Sequence, residues 1–303
     1  MRIGVAATPQ VAIPTLDWLL TTSHELAMVI TQPDRPAGRG RELTESPVSS
    51  WARSHSINCV KPLMPSELAD VVSELDLVVT IGYGVILPEE ILKLPRFGFL
   101  NLHFSLLPAY RGAAPVQRAL ENGEVISGLT VFQLDKGMDT GPLFTQIPIA
   151  IEPAWRSVEM LELLARMGPE AMAQTFDKIE QGIKPEPQQG SASIAPKISK
   201  EQAKIDWSNS TQVVVNKIRA FYPAPCAWSL WRENPIKITQ ASMAQINMKL
   251  EPGQIQCQEN RVFVGVALNG VIELESVIPA GKSEMPAADW ARGAHLLGGE
   301  NFG

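Results

Sequence analysis

"LDLVVTIGYG", Leu75 to Gly84, is apolar at most of its positions and closes on Gly-Tyr-Gly. A strand with one wet face alternates apolar and polar residues. This run offers no polar face, the mark of a parallel strand covered on both sides by helices. Working outward, "RIGVAA" (2–7) and "ELAMVIT" (25–31) have the same character. Helical patterns fall at 11–20, 47–55 and 65–73, with a short strand at 57–60. This alternation predicts an α/β fold, a Rossmann-like domain with a mostly parallel sheet. "FGFLNLH" (97–103) continues the series. "LTVFQL" (129–134) and "PLFTQIPIA" (142–150) read as later strands, antiparallel at an edge, and a long helix is expected at 156–181.

The character then changes. "GIKPEPQQGSASIAPKISKEQ" is rich in Pro, Gly and Ser and reads as a linker. After a helix at 211–223 come short strands spaced by turn signals, which suit a small β-barrel or sandwich. The expected division is a first domain over 1–182, a linker over 183–206 and a second domain over 207–303.

The 303 residues are 45% apolar, and no apolar run approaches the roughly 18 residues that cross a bilayer. The start, "MRIGVAATP", has no long apolar core with a cleavage site, so no signal peptide is expected. Cys59, Cys226 and Cys257 lie far apart without CxxC spacing. Reduced thiols in a cytoplasmic protein without a metal site are the expectation. The net charge of -6 excludes simple wrapping of nucleic acid, so an RNA partner must meet a local basic patch. The first strand-to-helix turn, "GVAATPQVA", lacks G-x-G-x-x-G, and no P-loop is present. A dinucleotide is therefore not indicated.

In parallel sheets, ligands gather beyond the carboxyl ends of the strands. There "NLHFSLLPAYRGAAP" (101–115) begins with Asn101 and His103, on one face of a strand and ~7 Å apart. Farther on, "QLDKGMDTGP" (133–142) sets Asp139 between Gly137 and Gly141. An Asn, a His and an Asp brought together suit transfer of an acyl-type carbon. The Asn101 amide would donate to an oxyanion. His103, held protonated by a carboxylate, would share it, and Asp139 would relay the proton lost by an attacking amine. Each residue also has a plain structural reading, since a turn Asp commonly caps its own backbone. His24, His55 and His295 read as surface residues.

"NLHFSLLPAYRGAAPVQRAL" and "GLTVFQLDKGMDTGPL" together resemble the folate-dependent formyltransferase family, in Asn-x-His, Ser-Leu-Leu-Pro and Asp-x-Gly. "TQPDRPAGRGRELTESPV", "APKISKEQAKIDW" and "IRAFYPAPCAW" narrow the resemblance to the branch acting on methionyl-tRNA. It covers both domains, to about residue 295. The resemblance implies a formyltransferase domain followed by a carboxyl-terminal OB-like β-barrel. It also implies the co-substrate 10-formyltetrahydrofolate, with initiator Met-tRNA as acceptor and no metal. A monomer is the expected state. By motif, Asn101, His103 and Asp139 are the catalytic trio, and Ser105, Leu106, Leu107 and Pro108 line the folate site, their backbone facing a pterin edge. An Arg-Gly loop carrying Arg35, Arg39 and Arg41 is expected to meet tRNA. Lys197 and Lys204 join it from a second basic stretch that includes Lys200, Lys217 and Arg219. Ala7, Gln10, Val11 and Phe104 depart from the family pattern near the expected rim. The rival expectations are formyl transfer to a small amine, formyl-folate hydrolysis, or an RNA-binding module with an idle catalytic fold.

Overall fold

Leu77–Ile81 forms a strand with every side chain buried, as an apolar run without a polar face requires. The computed structural model describes residues 1–37, 42–296 and 299–303. The chain divides into two units. The first takes Met1–Pro115, Ile126–Ala150 and Leu161–Pro196; the second takes Val116–Val125, Ile151–Met160 and Lys197–Gly303.

Up to residue 92 the elements are β1 (Arg2–Ala7), α1 (Ile13–Leu19), β2 (Glu25–Ile30), β3 (Arg35–Ala37), β4 (Glu42–Thr44), α2 (Pro47–Ser54), β5 (Cys59–Val60), α3 (Ala69–Val72), β6 (Leu77–Ile81) and α4 (Glu89–Leu92). Then follow β7 (Phe99–His103), α5 (Pro115–Glu121), β8 (Ile126–Gln133), β9 (Leu143–Ala150) and α6 (Ser157–Glu180). The sheet of the first unit has the order β5-β2-β1-β6-β7-β8-β9. Pairing is parallel from β5 through β7. It is antiparallel at β8 and β9, as the alternating edge sequences predict. The order runs outward from β1 in both directions, so the loops leaving β1, β6 and β7 meet at a switch point.

Sequence and structure part company in a few places. The helix expected at 65–73 opens as a 3-10 turn over Pro65–Leu68 before α3. The helix α5 was not anticipated, although Pro115 stands at its first position, where a missing N–H costs nothing. The Arg-Gly segment is a two-stranded ribbon at its base, Arg35 pairing with Thr44 and Ala37 with Glu42. Arg39 and Arg41, with Gly38 and Gly40, lie outside the described residues. The supposed linker is not slack: Leu143 and Glu186 exchange two main-chain hydrogen bonds, and the chain up to Pro196 belongs to the first unit.

In the second unit, α7 (Thr211–Phe221) precedes β10 (Trp228–Trp231), β11 (Asn234–Met243), β12 (Ile255–Gln258), β13 (Arg261–Val266), β14 (Gly270–Pro279), β15 (Met285–Pro286) and α8 (Ala287–Gly293). The antiparallel order is β10-β11-β14-β13-β12, with β15 on β14. The carboxyl-terminal tail bridges the two ends of that order. Leu230 and Gly303 exchange main-chain bonds, Ile255 donates to the Glu300 carbonyl, and Phe302 donates to that of Gly253. Its core stacks Trp207 and Trp290 against Phe302. The unexpected α8 exists to bury Ala287, Trp290 and Ala291 in this core.

All three cysteines are free. Burial pushes the Cys226 thiol up to about 11. Among the described residues, no helix is long and apolar enough to cross a membrane.

Candidate active site

Strand β7 lies between β6 and β8, with Asn101 opposite Thr80 and His103 opposite Thr130. Asn101 is half-buried and His103 buried. The imidazole stands edge-on to Phe132, with ring centres 6.3 Å apart and planes at 85°. Its Nε2 lies 3.0 Å from the main-chain oxygen of Tyr110. A carbonyl only accepts, so Nε2 carries the hydrogen and the neutral ring leaves Nδ1 bare.

Nδ1 faces Oδ2 of Asp139 at 3.7 Å. That is longer than a hydrogen bond and short enough for strong charge coupling once a proton arrives. The loop between β8 and β9 delivers the carboxylate, with Asp139 in the left-handed region at φ 53°. Gly112 N–H holds Oδ2 at 2.7 Å. Gly141 is required at the base of this loop, since a Cβ there would lie 1.8 Å from the Gln133 oxygen. Asn101, His103 and Asp139 are thus served by one strand end and one Gly-rich loop.

The expected protonated imidazole is not what the structure favours. Burial pushes His103 below its ordinary value; the Asp139 charge and the Tyr110 carbonyl offset this only in part. The folded state therefore favours the neutral ring, with Nδ1 open to accept a proton. Among the described residues the Asn101 amide takes no hydrogen bond. An amide without a partner and a ring with a bare nitrogen thus stand two positions apart on one strand.

The Ser105–Pro108 loop follows β7. Ser105 is buried and its hydroxyl donates to the Ala109 oxygen. Thr130 acts as a hub, donating to the Ser105 oxygen at 2.6 Å and accepting from Leu107 N–H at 3.1 Å. Gln146 donates to the Leu107 oxygen at 2.8 Å, and Ser193 N–H to that of Pro108. The Leu107–Pro108 peptide is cis. Leu107 has both main-chain groups engaged inside the protein. The loop accordingly presents apolar surface, with the Leu107 main chain turned inward.

Thr130, Gln146 and Gln188 escaped the sequence reading. A Thr in an apolar strand and a Gln in a Pro-rich stretch carry no local signal of this kind. Of the basic residues, Arg35 is exposed on β3. In the second unit, Lys200 and Lys204 each lie 5.9 Å from the centre of the Trp228 ring. Lys237 stands opposite Trp228 across the β10–β11 ladder. Lys217 and Arg219 are otherwise occupied: Lys217 donates to the main-chain oxygens of Gln202 and Lys204, and Arg219 to those of Pro153 and Trp155.

A strand-end Asn, His and Asp on a switched parallel sheet suit a group-transfer enzyme, and the comparisons with known proteins give the chain a family. Residues 1–176 match the family described as Formyl transferase and residues 197–295 the one described as Formyl transferase, C-terminal domain. The chain belongs to the formyl transferase family. It is similar to the methionyl-tRNA formyltransferase of Salinispora tropica, 41% identical over 307 residues and 99% of each chain. That of Thermobifida fusca is 42% identical over 309 residues, covering 100% of this chain and 99% of its own. The crystal structure of HypX from Aquifex aeolicus in complex with tetrahydrofolic acid shares the fold. Its TM-score is 0.68 at 19% identity, over 96% of this chain and 47% of HypX.

Proposed function

We propose that this chain transfers the formyl group of 10-formyltetrahydrofolate to the α-amino group of methionine esterified to initiator tRNA. The observation that carries the reading is the bare Nδ1 of His103, set 3.7 Å from a carboxylate anchored by Gly112 N–H. When bound, the folate supplies an electrophilic formyl carbon with N10 as its leaving nitrogen. Asn101 donates to the formyl oxygen as negative charge gathers on it. Nδ1 of His103 takes a proton from the attacking amine, and Asp139 stabilises the imidazolium so formed. His103 then returns the proton to the departing nitrogen. One C–N bond forms, one breaks, and no side chain of the protein is acylated. Ser105, Leu106, Leu107 and Pro108 wall the folate side by shape.

The tRNA is held by positive charge on an otherwise acidic protein. Arg35, with Arg39 and Arg41 beyond the described residues, contributes from the ribbon. Lys197, Lys200 and Lys204 contribute from the second unit. None of these three lysines forms an ion pair among the described residues, and two of them flank Trp228, an aromatic face suited to a base. Full-length similarity to methionyl-tRNA formyltransferases supports this acceptor over a small amine or water.

The test is transfer of radiolabelled formyl by the purified protein to charged initiator tRNA, to small amines and to water. Transfer to Met-tRNA is expected to dominate by orders of magnitude. Dominant transfer to a small amine, or release as formate, overturns the reading. Lys200→Glu with Lys204→Glu is expected to raise the KM for tRNA, to flatten its salt dependence and to leave the KM for formyl-folate unchanged.

A further inference from the structure

Gln188 lies in the stretch that composition marks as a linker, yet its side-chain amide makes four hydrogen bonds. Oε1 accepts from Nε of Arg111 at 3.2 Å and from Nη2 at 2.6 Å. Nε2 donates to the main-chain oxygens of Asp139 and Gly141, each at 2.8 Å. The orientation of the amide is forced. Reversed, it would set NH2 against a guanidinium and an oxygen against two oxygens.

These contacts close a ring around the acid of the trio. Arg111 precedes Gly112, whose N–H holds the Asp139 carboxylate. Gln188 therefore ties the side chain before the carboxylate's anchor to the main chain of the carboxylate's own residue. Asp139 sits in the left-handed region, which a non-glycine residue keeps only when its surroundings hold it there. The strap that carries Gln188 is itself fixed to the same loop. Arg111 N–H donates to the Ser193 oxygen, Ala195 N–H to the Arg111 oxygen, and Ala114 N–H to the Ala195 oxygen.

The geometry points to Gln188 as a positioning residue that aims Asp139 at His103 by clamping Asp139 and Gly141 to Arg111. Gln188 touches none of the trio's side chains; it acts through Asp139. The assignment rests on the formyl-transfer reading for its kinetic consequences, but its geometric content is independent of which acceptor is used.

The experiment compares wild type with Gln188→Ala, Gln188→Glu and Asp139→Asn. It records steady-state kinetics and follows the His103 ring by NMR titration. The glutamate keeps an acceptor for Arg111 and loses the donor to the two carbonyls, so it separates the clamp from simple tethering of the strap. For Gln188→Ala, kcat is expected to fall ~10- to 100-fold with both KM values within about two-fold, the size of loss that misplacing a catalytic group produces. Gln188→Glu is expected to lose at least as much. In both variants the His103 titration should move to lower pH, in the direction Asp139→Asn moves it, because the carboxylate that raises it is no longer aimed at the ring. A His103 titration unmoved in Gln188→Ala, or a Gln188→Glu enzyme indistinguishable from wild type, overturns the assignment. Absence of formyl transfer by the wild type would count against the function alone, since the titration still decides the clamp.

Discussion

Gly112 and Asp139, 27 positions apart, are joined by a single hydrogen bond of 2.7 Å from a main-chain N–H to Oδ2. The same oxygen faces His103, so the carboxylate is aimed by the backbone before any substrate arrives. Asp139→Asn keeps an acceptor for Gly112 and removes the charge that stabilises a protonated ring. Turnover is expected to drop by ~10²- to 10⁴-fold, the range for losing a participant in acid–base catalysis. Thermal unfolding and tRNA affinity should be unchanged. Single-turnover kinetics with labelled formyl-folate measure this, and a rate near wild type contradicts stabilisation of the imidazolium by Asp139.

The pH dependence follows from the buried ring. His103 has its pKa lowered from the ordinary 6.5, chiefly by burial, so the folded state favours the neutral base. As pH falls, the His103 ring should stay neutral through about 6.5, with its acid limb below that, as an NMR titration of the ring reads. Stability has the same sign. The contribution of the neutral ring is fully present above the unfolded value and is lost as pH falls from there through the folded value, because the unfolded chain takes up the proton first. A His103 titration with its midpoint above 6.5 would contradict the neutral-base assignment. In Asp139→Asn the limb should move lower still, since the Asp139 charge that raises the ring's pKa is gone.

The parts of this fold that were legible in the sequence are those where burial dictates pattern. Leu77–Ile81 had to be a two-sided strand, and the alternation in β9 had to be an edge. Asn101, His103 and Asp139 stand out as candidates through Asn-x-His and Asp-x-Gly, read with the family resemblance, and the structure sets His103 and Asp139 3.7 Å apart. What escaped is held by polar contacts across long separations, such as Arg111 with Gln188 and Leu107 with Gln146. No local periodicity encodes these. The Pro, Gly and Ser of 183–196 mimic a flexible linker because an extended strap, like a linker, avoids helix-forming sequence. The charge state of His103 escaped for another reason: burial is a property of the fold, and only the neighbouring carboxylate could be guessed.

Gly112 is expected to tolerate no side chain. Its φ of 125° lies where L residues are strained, and a Cβ would fall 2.7 Å from the Ala195 oxygen, a main-chain atom of the strap. Gly112→Ala should lower stability by about 1–3 kcal/mol. It should also reduce kcat, because relief of the contact moves the N–H that holds Asp139. Urea unfolding and steady-state kinetics on one preparation test both effects. A variant as stable and as active as wild type would show that the strap does not press on this loop.

Thr130 offers the sharpest separation of shape from chemistry, since it lies opposite His103 but bonds to the Ser105–Pro108 loop. Its hydroxyl donates to the Ser105 oxygen and accepts from Leu107 N–H and from Gln146, and the residue is fully buried. Thr130→Val preserves volume and branching but leaves the Leu107 donor and the Ser105 acceptor without this partner. The expected cost is ~1–3 kcal/mol for a buried polar group left unsatisfied. If the Ser105–Pro108 wall shapes the folate side, the KM for formyl-folate should rise while the KM for tRNA stays constant. The acid limb of the pH profile should not move, because His103 keeps its bond to Tyr110 and its distance to Asp139. Thr130→Ser restores the hydroxyl and should recover most of the folate affinity. Loss of tRNA affinity in Thr130→Val, or no recovery in Thr130→Ser, would move this loop out of the folate site.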